Sequence, residues 1–168
     1  MAREEVRKTP ADGTPLVVMA DVLTRAQRSR NMASIRSRDN ASTELAFKKL
    51  LSKQRISGWR RYEDLPGRPD FVFRKERVAV FVDGCFWHGC PRCYRLPDQH
   101  RPYWRKKTRS NRVRDLRVTK ELRQRGWHVL RVWEHSLESQ AGRTAILRRL
   151  HSALSQNLLH EFGTATSR

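Results

Sequence analysis

The six residues Val78-Ala79-Val80-Phe81-Val82-Asp83 constrain the fold more than any other part of this chain. An apolar run without alternation predicts a short strand covered on both faces, and such a strand sits inside a sheet with structure packed above and below it. The run ends in a carboxylate, and the stretch that follows, Gly84 to Cys93, holds three cysteines, a histidine, a phenylalanine and a tryptophan. Chemistry is therefore expected where the central strand ends.

The remaining elements supply the layers. An amphipathic helix is predicted from Ser42, with Ser42 or Asn40 as its cap, Glu44 in its first turn, and the i,i+4 pairs Ala46/Leu50 and Phe47/Leu51 facing a core. Gly58 stops that unit. Leu65-Pro66-Gly67-Arg68-Pro69 is turn chemistry, Asp70-Phe71-Val72-Phe73 leads into a strand, and Arg74-Lys75-Glu76 closes a hairpin onto the central strand. After a loop from Leu96 to Pro102, a basic helix runs from about Tyr103 to Arg125. Its stripe of Trp104, Thr108, Asn111, Asp115, Val118 and Leu122 is polar in the middle, which is unusual for a face turned inward. Gly126 ends it, Trp127 to Trp133 reads as a third strand, and a last helix from Arg143 to Leu154 presents Ile146, Leu147, Leu150 and Leu154. The order predicts one α/β domain over residues 19–160 with a mixed central sheet flanked by helices. Residues 1–18 read as a disordered extension, with Met19 as an alternative start, and 161–168 as a loose tail.

Charge points to the partner. Lys and Arg number 36 against 17 Asp and Glu, a formal net charge of +19, and they are spread from Arg25 to Arg149. A cationic surface of that extent suits a polyanion, because each phosphate contact releases a condensed counterion. Nucleic acid is the expected partner, and the absence of a long apolar run excludes a membrane-spanning helix. The three cysteines all fall between Cys85 and Cys93, an odd number that favours a reduced, cytoplasmic setting and metal ligation over disulfides.

Cys85, Cys90 and Cys93 offer three soft ligands, and tetrahedral zinc needs a fourth. His135, just past the third strand, is the expected one if that strand runs parallel to the central strand; His100 is the alternative, and three buried free thiols the plain reading. Asp70 and Asp83 lie at the same end of the predicted hairpin, where two carboxylates can hold magnesium. His88 is expected to act on the attacking water or the leaving oxygen, histidine being the residue type that titrates near neutrality, unless it ligates zinc instead. Glu44 is expected to accept from His88 or to bind a second metal, although a helix-start glutamate can serve the helix dipole alone. Phe86, Trp87 and Trp104 can form a lid on the core or wedge between bases. Lys107 and Asn111 are candidates for reading base edges, and Arg28 and Arg30, in the basic stretch from Thr24, for lying on phosphates.

These residues resemble the very short patch repair endonucleases of bacteria, a family with the restriction-endonuclease-like fold. The resemblance runs through Arg28-Ser29-Arg30-Asn31-Met32, Leu65-Pro66-Gly67-Arg68-Pro69-Asp70-Phe71-Val72, Val80 to His88, Cys93-Tyr94, Tyr103-Trp104, and Gly126-Trp127 to Val132-Trp133-Glu134. It implies a nick in one DNA strand beside the thymine of a T:G mismatch left by deamination of 5-methylcytosine. By position, Asp70 and the backbone carbonyl of Val82 would hold magnesium, His88 would act on the water with Glu44 nearby, and Phe86, Trp87 and Trp104 would wedge into the duplex opposite Met32. A structural zinc would take Cys85, Cys90, Cys93 and His135. The resemblance also implies a monomer in the bacterial cytoplasm, associated with the nucleoid and with other mismatch-repair proteins.

Three departures stand out. The family pattern has histidine where this chain has Asp83; the stretch Gly89-Cys90-Pro91-Arg92 is one residue longer than its counterpart; and His135 stands where the family has cysteine. The last two exchange one cysteine and one histidine, so the ligand set is retained. Two other readings remain open from sequence: a nuclease with another mismatch or duplex specificity, and a zinc-stabilised DNA-binding module without catalysis.

Overall fold

The computed structural model describes residues 39–163, and side chains through residue 156. Arg28, Arg30 and Met32, and the proposed extension 1–18, lie outside the described residues. The central feature is a four-stranded sheet in the order β1-β2-β3-β4, with β1 Trp59–Arg60, β2 Phe71–Phe73, β3 Val78–Asp83 and β4 His128–Trp133. The first three strands are antiparallel neighbours, and β4 joins β3 in parallel, pairing Val78 with His128 and Asp83 with Trp133. The sheet is therefore mixed, as expected, and every residue of β3 is buried. The edge strand β1 is an addition to the sequence reading; two residues are too few to leave a periodic signal.

Each face of the sheet has its own helices. On one, α1 (Ala46–Lys53) and α4 (Gln140–Gly163) bury Phe47, Leu50, Leu51, Ile146 and Leu150 against Phe71, Phe73, Val78, Val80, Val82, Leu130 and Val132. On the other, α2 (Arg101–Gln124) lays Val118 and Leu122 on Ala79, Phe81 and Val129. Alternate residues of β3 thus serve opposite cores, which is why its sequence shows no alternation.

The helix ends differ from expectation in ways the chain explains. Asn40 caps the first helix by accepting from the Ser42 amide, but the first turn, Ala41–Leu45, is wound as a π-helix before α1 begins. Helix α2 starts at Arg101 because Pro102 falls in its first turn, where the fixed φ of proline suits a helix start. A short helix α3 (Glu134–Glu138) directly follows β4, and α4 begins at Gln140 and continues to Gly163, past the predicted end at Leu154.

The loops that carry the site are pressed onto α2. Gly67 has φ +73°, and a Cβ there would stand 2.4 Å from Val118 Cγ1; Gly89 has φ +63°, and a Cβ would stand 2.5 Å from Thr108 Cγ2. Only glycine meets both demands, a left-handed backbone and a close approach. The predicted inward stripe of α2 is observed: Thr108, Asn111, Val118 and Leu122 are buried.

Candidate functional site

Parallel pairing of β3 and β4 brings Cys85 and His135 together just beyond the strand ends. Cys85 Sγ lies 3.2 Å and Cys90 Sγ 3.5 Å from His135 Nδ1, and the ligand atoms of Cys85, Cys90, Cys93 and His135 all lie within 4.8 Å of one another. Four donors so spaced fit the edges of a tetrahedron around one ion, with Zn–S near 2.3 Å and Zn–N near 2.0–2.1 Å. His100, the alternative ligand, sits exposed at the N-terminus of α2, outside this cluster. The Cys85 amide donates to Glu134 Oε2 at 3.0 Å, a second tie between the two strand ends. Burial and the neighbouring Cys90 push the Cys85 thiol up to about 12, so coordination would displace a firmly held proton.

A second group gathers on the α2 side of the same sheet end. Asp70 is anchored by its own backbone, whose N–H donates to the Val80 carbonyl at 3.0 Å, while its Oδ2 accepts from the Val82 amide at 2.7 Å. Burial, with the negative charges of Glu44 and Asp83, raises its pKa to about 6 against the opposing pull of that amide. The charge of Arg61 offsets this only in part, and hard oxygen donors in this state suit a magnesium ion.

His88 Nδ1 donates to Asp115 Oδ2 at 2.6 Å and lies 3.4 Å from Asp83 Oδ1. In the neutral ring, a proton held on Nδ1 by that carboxylate leaves the lone pair on Nε2. His88 is thus turned toward Asp115 and Asp83 rather than toward the cysteines. Although burial opposes it, the hydrogen bond from His88 and the charges of His88, Arg131 and Arg114 hold the Asp115 carboxyl below the usual range. Arg131 reaches both oxygens of Asp83, Nε to Oδ2 at 2.7 Å and Nη2 to Oδ1 at 2.5 Å.

Asp83, expected beside Asp70 on magnesium, has both oxygens bonded by Arg131 and lies with His88 and Asp115 in a group whose donor atoms all fall within 4.8 Å of one another. Two expectations need correction. Glu44 does not accept from His88; it is buried, paired with Arg61, and takes the Asp39 amide at 3.0 Å. Asn111 does not aim outward, because its Nδ2 donates to the Trp87 carbonyl at 2.7 Å and braces the knuckle. Lys107, by contrast, is exposed on α2. Sequence reasoning gave Asp115 and Arg131 no role. The signals were present as a carboxylate on an inward stripe and a cation interrupting an apolar strand.

Phe86, Trp87 and Trp104 form one aromatic group. Phe86 meets Trp87 and Trp104 edge-on with centroids 5.3 and 5.0 Å apart, Trp87 and Trp104 are 6.0 Å apart, and Tyr94 and Tyr103 extend the cluster. All three are half-buried, so the cluster is assembled but not sealed.

A sheet end bearing a part-buried carboxylate, a carboxylate-oriented histidine and a cysteine-histidine cluster is the kind of arrangement that hydrolases use. Comparison with known proteins narrows it. Residues 20–95 match the family model described as DNA mismatch endonuclease Vsr. The Type II nicking enzyme V.NaeI of Lentzea aerocolonigenes is 40% identical over 148 residues, 83% of each chain. The DNA mismatch endonuclease Vsr of Escherichia coli K12 is 40% identical over 124 residues, 73% of this chain and 78% of its own. The Type II nicking enzyme V.XorIIP of Xanthomonas oryzae is 38% identical over 134 residues, 79% of this chain and 97% of its own. The chain belongs to the Vsr family of DNA endonucleases.

Proposed function

We propose that this protein is a magnesium-dependent endonuclease that nicks one DNA strand beside the thymine of a T:G mismatch. The observation that carries the reading is Asp70, a part-buried carboxylate that accepts from the Val82 amide at 2.7 Å and is raised to about 6 by burial and by the charges of Glu44 and Asp83. Asp70 and the Val82 carbonyl would hold magnesium, which supplies positive charge to the scissile phosphate. His88 Nε2 takes a proton from the attacking water as its oxygen bonds to phosphorus, and the phosphorus–oxygen bond to the departing sugar breaks, that oxygen being protonated from solvent. Asp115 holds the ring in the productive tautomer and balances its charge once protonated.

The cysteine-histidine cluster would hold zinc in a purely structural role, since its four ligands leave no open position. It anchors the loop that carries Phe86 and Trp87, which with Trp104 would wedge into the stack at the mismatch. The basic outer side of α2, including Lys107, would follow the phosphates. The mixed sheet with helices on both faces and carboxylates at one end supports a restriction-endonuclease-like architecture. Action on chromosomal DNA implies a bacterial cytoplasmic setting at the nucleoid, as a monomer working with other repair proteins. Among the described residues no helix is long and apolar enough to cross a membrane.

The nicking-enzyme names of V.NaeI and V.XorIIP favour a second reading, in which the same chemistry serves another mismatch or a paired duplex sequence. Nicking across a panel of duplexes, carrying each mismatch in varied flanks with and without magnesium, decides between them. Cleavage confined to T:G duplexes and to magnesium is expected. Cleavage of fully paired duplex at the same rate would sink the mismatch reading, and binding without any cleavage would favour a non-catalytic module.

A further inference from the structure

Arg131 stands in β4 between the buried apolar residues Leu130 and Val132, a costly place for a cation unless something holds it. It bonds both oxygens of Asp83, its Nη2 lies 3.3 Å from Asp115 Oδ1, and its Cζ lies 4.8 Å from the centre of the Phe81 ring. The residues it ties together are the ones that could otherwise take an ion: Asp83, His88 and Asp115 place one donor atom each within 4.8 Å of one another. Asp83 is only 3% exposed, so water cannot replace a missing counter-charge.

We propose that the Arg131 guanidinium is the resident cation of this cluster. It occupies the charge position that a second divalent ion would fill beside the one on Asp70, and it keeps Asp83 off the metal. Arg131 is then a positioning residue: it fixes Asp83 and Asp115, and through Asp115 the orientation of His88. The guanidinium suits this part because it is planar, offers several fixed donors and keeps its charge in proteins. The inference rests on the metal-dependent reading of Asp70, and its test separates the two.

The test counts Mn2+ bound to the zinc-loaded protein without DNA, from the loss of the free-ion electron paramagnetic resonance signal. Arg131→Met is expected to bind one ion more than wild type, and Arg131→Met combined with Asp115→Asn to return to the wild-type count. Asp115→Asn alone, with Arg131 in place, should leave the count unchanged. Equal counts in wild type and an Arg131→Met protein that keeps its zinc and its melting temperature overturn the proposal. An ion lost from the Asp115→Asn single variant overturns it too, and that arm stands even if Arg131→Met does not fold. The wild-type count and its fall in Asp70→Asn report on the magnesium reading separately, because the proposal is read from differences between variants.

Discussion

His88 Nδ1 lies 2.6 Å from Oδ2 of Asp115, a residue 27 positions further along the chain and on a different element. The hydrogen bond joins the cysteine-bearing loop to α2 and sets which ring nitrogen is free. Replacing Asp115 by asparagine keeps the shape but removes the charge that stabilises a protonated ring and allows the wrong tautomer. Nicking by Asp115→Asn should fall by roughly 100-fold or more, the range for loss of a positioned acid or base. Binding of the mismatched duplex should be retained; single-turnover kinetics beside a binding titration checks both.

Asp70 gives a pH signature in the zinc-loaded protein without magnesium. Its pKa in the fold, about 6, lies above the unfolded value of 3.8, so the folded state binds this proton more tightly. Stability from this group is complete below about pH 4 and is lost as pH rises through about 6, by up to about 3 kcal/mol. Asp70→Asn should remove that slope and make the zinc-loaded, magnesium-free protein more stable than wild type at pH 7.5, while abolishing nicking. Urea denaturation at pH 5 and pH 7.5 measures the slope, and added magnesium should flatten it in wild type alone.

Removal of the cluster metal should cost more than a local contact. Binding energy of a structural zinc is coupled to folding and is on the order of 10 kcal/mol or more, beyond the whole stability of a typical domain. Chelation, or Cys90→Ser, should therefore lower the melting temperature steeply and abolish nicking together with mismatch binding. Elemental analysis should find one zinc per chain in wild type; a metal-free preparation with wild-type activity would contradict the structural assignment.

Gly89→Ala tests how closely the knuckle sits on α2. The new Cβ would stand 2.5 Å from Thr108 Cγ2, on a backbone with φ +63°. A loss of about 2–4 kcal/mol is expected from overpacking and left-handed strain together. Thr108→Ser removes the opposing methyl, so the double variant should recover the steric part and leave the backbone part. Urea unfolding of the four proteins of this cycle gives the division.

Much of the fold could be read along the chain because its signals are local: the unbroken run of β3, the turn before Asp70, the stripe on α2. The cysteine-histidine cluster was readable because three of its residues lie close in sequence and parallel pairing of β3 with β4 brings up the fourth. What escaped depends on register between distant segments. That Asp83 pairs with Arg131 depends on Arg131 pointing to the same face as Asp83 across the β3–β4 ladder, which neither segment reveals alone. Asn111 looked like a base reader because amide side chains serve that use, yet burial against the Trp87 carbonyl commits it inward. Strand β1 and helix α3 were too short to announce themselves.

Cys85 and His135 are 50 residues apart, and all of α2 lies between them. An ion on the cluster therefore closes a covalent-like ring whose circumference contains the helix that carries Asp115. Closing a ring of that length removes several kcal/mol of chain entropy from the unfolded ensemble, on the order of 4 kcal/mol by analogy with a disulfide. The helix enters this ring from the cysteine loop and leaves it through the start of β4, at the opposite end of the sheet. With an ion bound, Asp115 therefore rides on a closed loop of chain rather than on a free one.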